Sequence, residues 1–295
     1  MNLEQNNVQR LSLMYITNRP DVAQIAATAG VDRIFIDMEQ LWKGDRQGGM
    51  NTVQSHHTVA DVVRVRKALN EIGSKTELLV RVNPVHDPVE CYESTEDEVD
   101  SVITTGADIV MLPFFKTASE VERFLQAVSG RAKTMLLLET KEAVGCLDEI
   151  LALPGIDSVH IGLNDLSISR GDPFLFVPLA DGTVDAICEK LKANGIPYGF
   201  GGIASLGNGA LPSEHIIAEH YRLGSSCAIL SRSFCNVQQV CDLEKIRRIF
   251  EHGIKEIRSY ESVCACAAPE FFTENRRILV EKTNEIVNTF YQKRT

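Results

Sequence analysis

The chain has 295 residues, 44% of them hydrophobic, enough for one large α/β barrel or two small domains. Its formal net charge of −10 disfavours nucleic acid or an anionic membrane as the main partner, while leaving room for a local arginine cluster facing a small anion. No apolar run reaches the roughly 18 residues of a transmembrane helix, the N-terminal MNLEQNNVQR lacks the apolar core of a secretory signal, and eight cysteines follow no disulfide spacing, which together predict a cytoplasmic protein with reduced thiols.

Residues 11–16 (LSLMYI) read as a short apolar strand. Pro20 opens a helix that Gly30 ends. The second strand is 33–38 (RIFIDM), followed by the long polar loop EQLWKGDRQGGMNTVQSHH, and Thr58 starts a helix to Asn70. The third strand, 78–82 (LLVRV), is stopped by Asn83-Pro84. A helix at 96–105 leads to the fourth strand at 108–112 (DIVML), and a helix at 118–128 to the fifth at 135–138. A helix over 141–151 precedes the sixth strand, 158–161; a loop rich in Gly, Pro and Phe and a helix at 184–193 follow. Tyr198 to Phe200 runs into Gly201-Gly202 as the seventh strand, a helix covers 213–222, and 227–230 (CAIL) is the eighth.

Eight strands alternating with helices predict a (β/α)8 TIM barrel rather than an open doubly wound sheet. The connectors GVDR, GADI, GIDS and GSSC repeat one logic: a glycine caps a helix and the chain turns into a strand. From Asp242 onward the pattern is purely helical, and the second helix carries Ile278, Leu279, Ile286 and Phe290 on a stripe. The expected division is a catalytic barrel over 1–240 and a C-terminal helical extension over 241–295, packed on another subunit of a homo-oligomer or across the barrel's own outside. Cys264 and Cys266 form a lone Cys-Ala-Cys pair, too little for a zinc site.

Barrels bind ligands at the C-terminal ends of their strands, so the polar residues there matter most. The fifth strand runs into Glu139, and the sixth runs through Gly162, Leu163 and Asn164 into Asp165. Two acids from neighbouring strands supply hard oxygen ligands for one divalent cation, leaving other positions to water and substrate. Taken singly, either acid reads as a helix cap. Arg81 is internal to LLVRVNP, where a charge needs an anion: a substrate, or a structural ion pair with Asp37 or Glu39 on the second strand. Gly201-Gly202 and Ser231-Arg232-Ser233 follow strands seven and eight, where barrels often bind anions.

FIDMEQ, LLVRVNP, GADIVMLP, LLLETKEA and HIGLNDLS together resemble the HpcH/HpaI aldolase/citrate lyase family of phosphoenolpyruvate/pyruvate-binding barrels, over residues 11–234. The resemblance implies a metal-dependent class II aldolase that cleaves or forms a carbon–carbon bond to a pyruvate-like 2-oxo acid, with an aldehyde as the other partner. It implies Glu139 and Asp165 as ligands of Mg²⁺, Mn²⁺ or Co²⁺, Arg81 as the group that grips the oxo-acid, and Asp37 and Glu39 as an acidic pair. Gly162 and the backbone N–H groups of Asn164 and Asp165 would hold the substrate carboxylate.

One departure stands out. The family's aldolases carry a proton-relaying histidine after the second acid, where this chain has Gln40, which exchanges no proton near neutral pH. His56, His57 and Glu39 are the candidate replacements, His57 being the expected catalytic one; either histidine alone also reads as a solvated helix start. His160 reads as a hydrogen-bonded core residue or one facing the barrel mouth. In the long loop, Trp42, Lys43, Arg46 and Gly48-Gly49 suit a lid over a larger or anionic substrate, with Arg46 as a substrate contact. A CoA-thioester lyase of the citrate or citramalyl type is the alternative, with Lys116 and Arg232 as rim cations. A barrel that binds a pyruvate-like ligand without turnover is another, and a sugar-derived aldehyde is a third variant of the aldolase reading.

Overall fold

The apolar runs become strands because a sheet covered on both faces buries every residue of each strand. A computed structural model describes residues 10–42, 55–89 and 92–292. Eight parallel strands close in sequence order: β1 (Ser12–Ile16), β2 (Arg33–Asp37), β3 (Glu77–Arg81), β4 (Ile109–Leu112), β5 (Lys133–Leu138), β6 (Ser158–Ile161), β7 (Tyr198–Ile203) and β8 (Cys227–Leu230), with β8 pairing back onto β1. The (β/α)8 barrel expected from the pattern is what the chain forms. Met14, Phe35, Leu79, Ile109, Met111, Met135, Leu137 and Cys227 fill its interior, and the larger core lies between the strands and the surrounding helices.

The helices α1 (Pro20–Ala29), α2 (Val59–Glu71), α3 (Thr95–Thr104) and α4 (Ala118–Val128) fall where periodicity places them. Thr58 and Thr117 close capping boxes with Asp61 and Glu120. In all four Gly connectors the glycine holds a positive φ, as the cap logic requires. Two segments depart from expectation. The helix expected over 141–151 breaks at Cys146 into α5 (Lys141–Gly145) and α6 (Leu147–Leu151); Gly145 weakens the helix there, and Cys146 Sγ turns to the Lys116 carbonyl. The expected loop after β6 contains α7 (Leu163–Arg170) and α8 (Val177–Ala180). Burial of Leu163, Leu166 and Leu179 overrides the turn preference of Asn164 and Asp165, and Gly171 ends α7 as its left-handed C-cap.

Helices α9 (Thr183–Ala193) and α10 (Ser213–Leu223) complete the sixth and seventh units. The first helix past β8, α11 (Leu243–Ala265), packs between α1 and α10 as the eighth helix of the ring. Its Glu261 accepts the Leu11 amide at 2.7 Å, and its Arg258 bonds the Leu11 carbonyl at 2.8 Å and Asp32 at 2.9 Å. The start of β1 is thereby tied to the end of the barrel sequence. The last helix, α12 (Pro269–Gln292), lies on α10 and α8 of the same chain. Its buried positions are Asn275, Leu279 and Thr283; of the expected stripe, Ile286 packs at the edge of the core and Phe290 is exposed. No helix among the described residues is long and apolar enough to cross a membrane.

Two buried histidines carry a pH dependence. His160 stands inside the barrel, its Nε2 bonded to the Gly201 carbonyl at 3.1 Å, and burial lowers its pKa to about 4. On α10, His220 stacks on Phe200 at 3.9 Å with Nδ1 2.7 Å from Ser225 Oγ, and burial lowers its pKa to about 3. The ordinary value is 6.5, so between 6.5 and about 4 the unfolded chain binds protons that the folded one does not. Stability should be flat above pH 6.5 with respect to these groups and fall as pH drops below it. Thermal melts between pH 5 and 7.5 check this: His220→Gln should flatten the slope, and an unchanged slope in that variant rejects the assignment.

Candidate active site

Strand alternation carries the inner columns of the barrel from apolar to polar. Phe35, Leu79 and Leu137 belong to the inner core, and two residues further the same face presents Asp37, Arg81 and Glu139. These three line a cavity of about 650 Å³ together with Gly162, Asn164 and Asp165 after β6 and His57 before α2.

Register sets Asp37 directly beside Arg81 on the neighbouring strand. Arg81 Nε donates to Asp37 Oδ1 at 2.8 Å, and Nη1 lies 3.4 Å from Glu39 Oε2. The guanidinium is 12% exposed; Glu39 is wholly buried against it. Burial works against the charge, but Asp37, Glu39 and Glu139 outweigh it and hold the guanidinium above the ordinary arginine range. The ring of Phe35 lies 5.5 Å below the guanidinium carbon. The ion pair foreseen as the structural role of Arg81 is therefore present, and it stands at the cavity wall.

Glu139 is not the cap of the next helix. Thr140 does that work: its side chain accepts the Ala143 amide and donates to the Phe115 carbonyl at 2.7 Å. Glu139 Oε1 accepts the Phe114 amide at 3.0 Å, Phe114 holding a left-handed backbone (φ 48) just past β4. The other oxygen lies over Gly162, where a Cβ would stand 2.7 Å from Oε2 and 2.9 Å from Glu139 Cβ. Glycine is the residue that leaves this room. It is also the N-cap of α7, whose third residue is Asp165, so the Glu139 carboxylate sits at the start of the helix that carries the second acid. Asn164 Nδ2 donates to Asp165 Oδ1 at 3.2 Å.

His57 reaches the site from the far end of the long loop. Its Nδ1 accepts the Asp37 amide at 3.0 Å, so a neutral ring carries its proton on Nε2. His56 is exposed and does not line the cavity. Gln40, at the departure from the family pattern, bonds the His57 carbonyl through Nε2 at 3.5 Å and accepts from the Tyr92 hydroxyl at 3.0 Å. Arg46, Lys43 and Gly48-Gly49 of the expected lid lie outside the described residues; Trp42 is half exposed.

Gly201, Gly202, Ser231, Arg232 and Ser233 line the cavity as expected of the ends of β7 and β8. Lys116 does not; it is exposed over the Phe114 ring at 5.1 Å. Sequence reasoning missed Arg19, Phe176 and Leu211 on the cavity wall, which no motif marks. It also missed the Phe114 amide that anchors Glu139. Among the described residues no cluster of three or more His, Cys, Asp or Glu forms a metal cage.

A family model described as HpcH/HpaI aldolase/citrate lyase matches residues 10–173. A 2-keto-3-deoxy-L-rhamnonate aldolase of Escherichia coli O1:K1 / APEC is 26% identical over 200 residues, covering 62% of this chain and 71% of that protein. Among solved structures, an HpcH/HpaI aldolase/citrate lyase family protein from Burkholderia cenocepacia J2315 aligns with a TM-score of 0.59 at 17% identity, over 82% of this chain and 96% of the other. A citrate synthase, SbnG, aligns with a TM-score of 0.58 at 17% identity, over 82% and 95%. At that identity the two structures speak for the fold alone.

Gly162 gives the site a sharp test. Gly162→Ala should push the Glu139 carboxylate off the Phe114 amide and destabilise the fold by about 1–3 kcal/mol. Thermal melts read it, and an unchanged midpoint would mean that the carboxylate does not lie over Gly162.

Proposed function

The chain belongs to the HpcH/HpaI aldolase/citrate lyase family and is a carbon–carbon lyase, and from that premise we propose that its cavity takes a pyruvate-like 2-oxo acid beside a divalent cation held by Glu139 and Asp165. The observation that carries this reading is the meeting of two acids from adjacent strand ends with one buried arginine around a single cavity. The donor set fits. Two carboxylates, with no group of three or more His, Cys, Asp or Glu drawn together as a metal cage among the described residues, are too open for structural zinc and suit Mg²⁺ or Mn²⁺, with Co²⁺ also accommodated. When bound there, the cation supplies Lewis acidity toward the 2-oxo group.

The chain's own residues supply the rest. Arg81, kept charged by its two acids, offers a fixed positive group where negative charge develops on the substrate oxygen. The backbone N–H groups of Asn164 and Asp165 stand in the first turn of α7, at the positive end of its dipole, and suit a substrate carboxylate, with Gly162 leaving the approach open. His57 replaces the missing histidine: Nε2 carries the transferable proton, Nδ1 is fixed by the Asp37 amide, and the Asp37 carboxylate lines the cavity beside it, while buried Glu39 acts through Arg81. The acceptor is an aldehyde.

Proton exchange of pyruvate in deuterated water tests the reading, because a barrel that only binds the acid catalyses none. Exchange should vanish on chelation and return with Mn²⁺. Glu139→Gln and Asp165→Asn should each slow it by more than about 100-fold, the ceiling for outer partners of a metal site. His57→Asn should slow it about 100-fold while leaving Mn²⁺ affinity intact. Metal-independent exchange, or full activity in Glu139→Gln, rejects the mechanism.

A further inference from the structure

We propose that Asn83, oriented by Glu98, is a positioning residue that holds the end of β2, and with it the Glu39 carboxylate, against Arg81. The inference rests on the role given above to the Arg81–Asp37–Glu39 cluster.

The β2–β3 ladder ends close to the cluster. Its register stops at Asp37 and Arg81, and the last backbone bond runs from the Met38 amide to the Arg81 carbonyl at 2.9 Å. Glu39 comes next, past the end of the ladder, its amide donating to Asp37 Oδ1 at 3.3 Å. Beyond it the side chain of Asn83 takes over: Asn83 Oδ1 accepts both the Gln40 and the Leu41 amides, each at 2.9 Å. Asn83 is 1% exposed and stands two residues past Arg81 on the same chain segment. One side chain thus couples the residue after Glu39 to the strand that carries the arginine.

An amide can do this only if its oxygen faces β2. Glu98 on α3 enforces that orientation. Its Oε1 accepts from Asn83 Nδ2 at 3.0 Å, and both its oxygens accept the Asn83 backbone amide, at 3.2 and 3.1 Å. A carboxylate accepts and does not donate, so the NH₂ end of Asn83 must face it. Aspartate at 83 would set a second acid against Glu98, and alanine would leave the Gln40 and Leu41 amides without this acceptor. Burial pushes the Glu98 carboxyl up while the Asn83 donors oppose it. The Cα of Glu39 is fixed from the β3 side, which keeps its carboxylate within reach of Arg81. Glu139 and Asp165 come from β5 and α7 and do not depend on this tie.

The consequence is a split between turnover and binding. In Mn²⁺-dependent pyruvate exchange, Asn83→Ala and Glu98→Ala should each lower kcat about 30-fold, with KM for pyruvate within about threefold, because a displacement near 1 Å in the acid cluster costs that order of rate. Glu98→Gln keeps an Oε1-like acceptor for both Asn83 donors and should recover kcat to within about fivefold of the parent. Thr134→Val serves as the control for lost stability. Thr134 is buried at the other end of β5, bonded to the Gly155 carbonyl at 2.7 Å, and its variant should melt lower with kcat unchanged. Equal kcat losses in Thr134→Val and Asn83→Ala, or a raised KM with kcat intact, overturn the proposal. If Asn83→Ala does not fold, the Glu98→Ala and Glu98→Gln pair still decides: equal activities reject it. A parent protein without exchange sinks the proposed function first and this inference with it, whereas an active parent with active Asn83→Ala sinks this inference alone.

Discussion

The guanidinium of Arg81, buried at the end of an inner column of the barrel, cannot stand there without anions. Asp37 at 2.8 Å and Glu39 at 3.4 Å meet it, and both come from the strand that pairs with its own. This pairing explains why β2 ends in alternating acids: residues of odd number there face inward, and the inward face at that height belongs to the arginine. It also keeps a positive group in place at a cavity whose other walls carry Glu139 and Asp165. Charge decides how the inner columns of β2, β3 and β5 end, because their apolar layers stop at Phe35, Leu79 and Leu137.

The two remaining acids obey a second constraint, closeness. Strands β5 and β6 pair Leu138 with Ile161, so the residues that follow, Glu139 and Gly162, leave the sheet side by side. The carboxylate lies on the space that a side chain at 162 would fill, and its other oxygen is held by the Phe114 amide. A glycine and a strained aromatic backbone on either side of one carboxylate fix it more firmly than its own rotamer would. At about 650 Å³ the cavity falls within the range of small-molecule sites.

The legible part of the site consists of residues whose position follows from a strand. Asp37, Arg81 and Glu139 each stand two residues past an inward apolar residue, and period-two alternation carries that direction forward. Asp165 is legible as the acid that follows the sixth strand, but not as part of a helix, because local propensity reads its segment as a turn. His57 was nominated among several candidates, but nothing local tells which ring turns inward after a loop of this length. Asn83 read only as the stop of a strand, because its role depends on amides from residues 40 and 41, far away in sequence.

From the amino-acid order alone came the eight strands, the closed α/β architecture and the acids and arginine at the strand ends. These follow from patterns a few residues long: apolar runs, glycine caps and strand alternation. Tertiary structure decided what those residues do. Whether Glu139 caps a helix or faces a cavity was settled by Thr140 taking the cap; whether Arg81 stands alone was settled by barrel register; and the first helix past β8 became part of the ring because Arg258 and Glu261 meet Leu11 across most of the chain. Each of these is a choice between partners distant in sequence. Only closure of the barrel brings them within hydrogen-bond range.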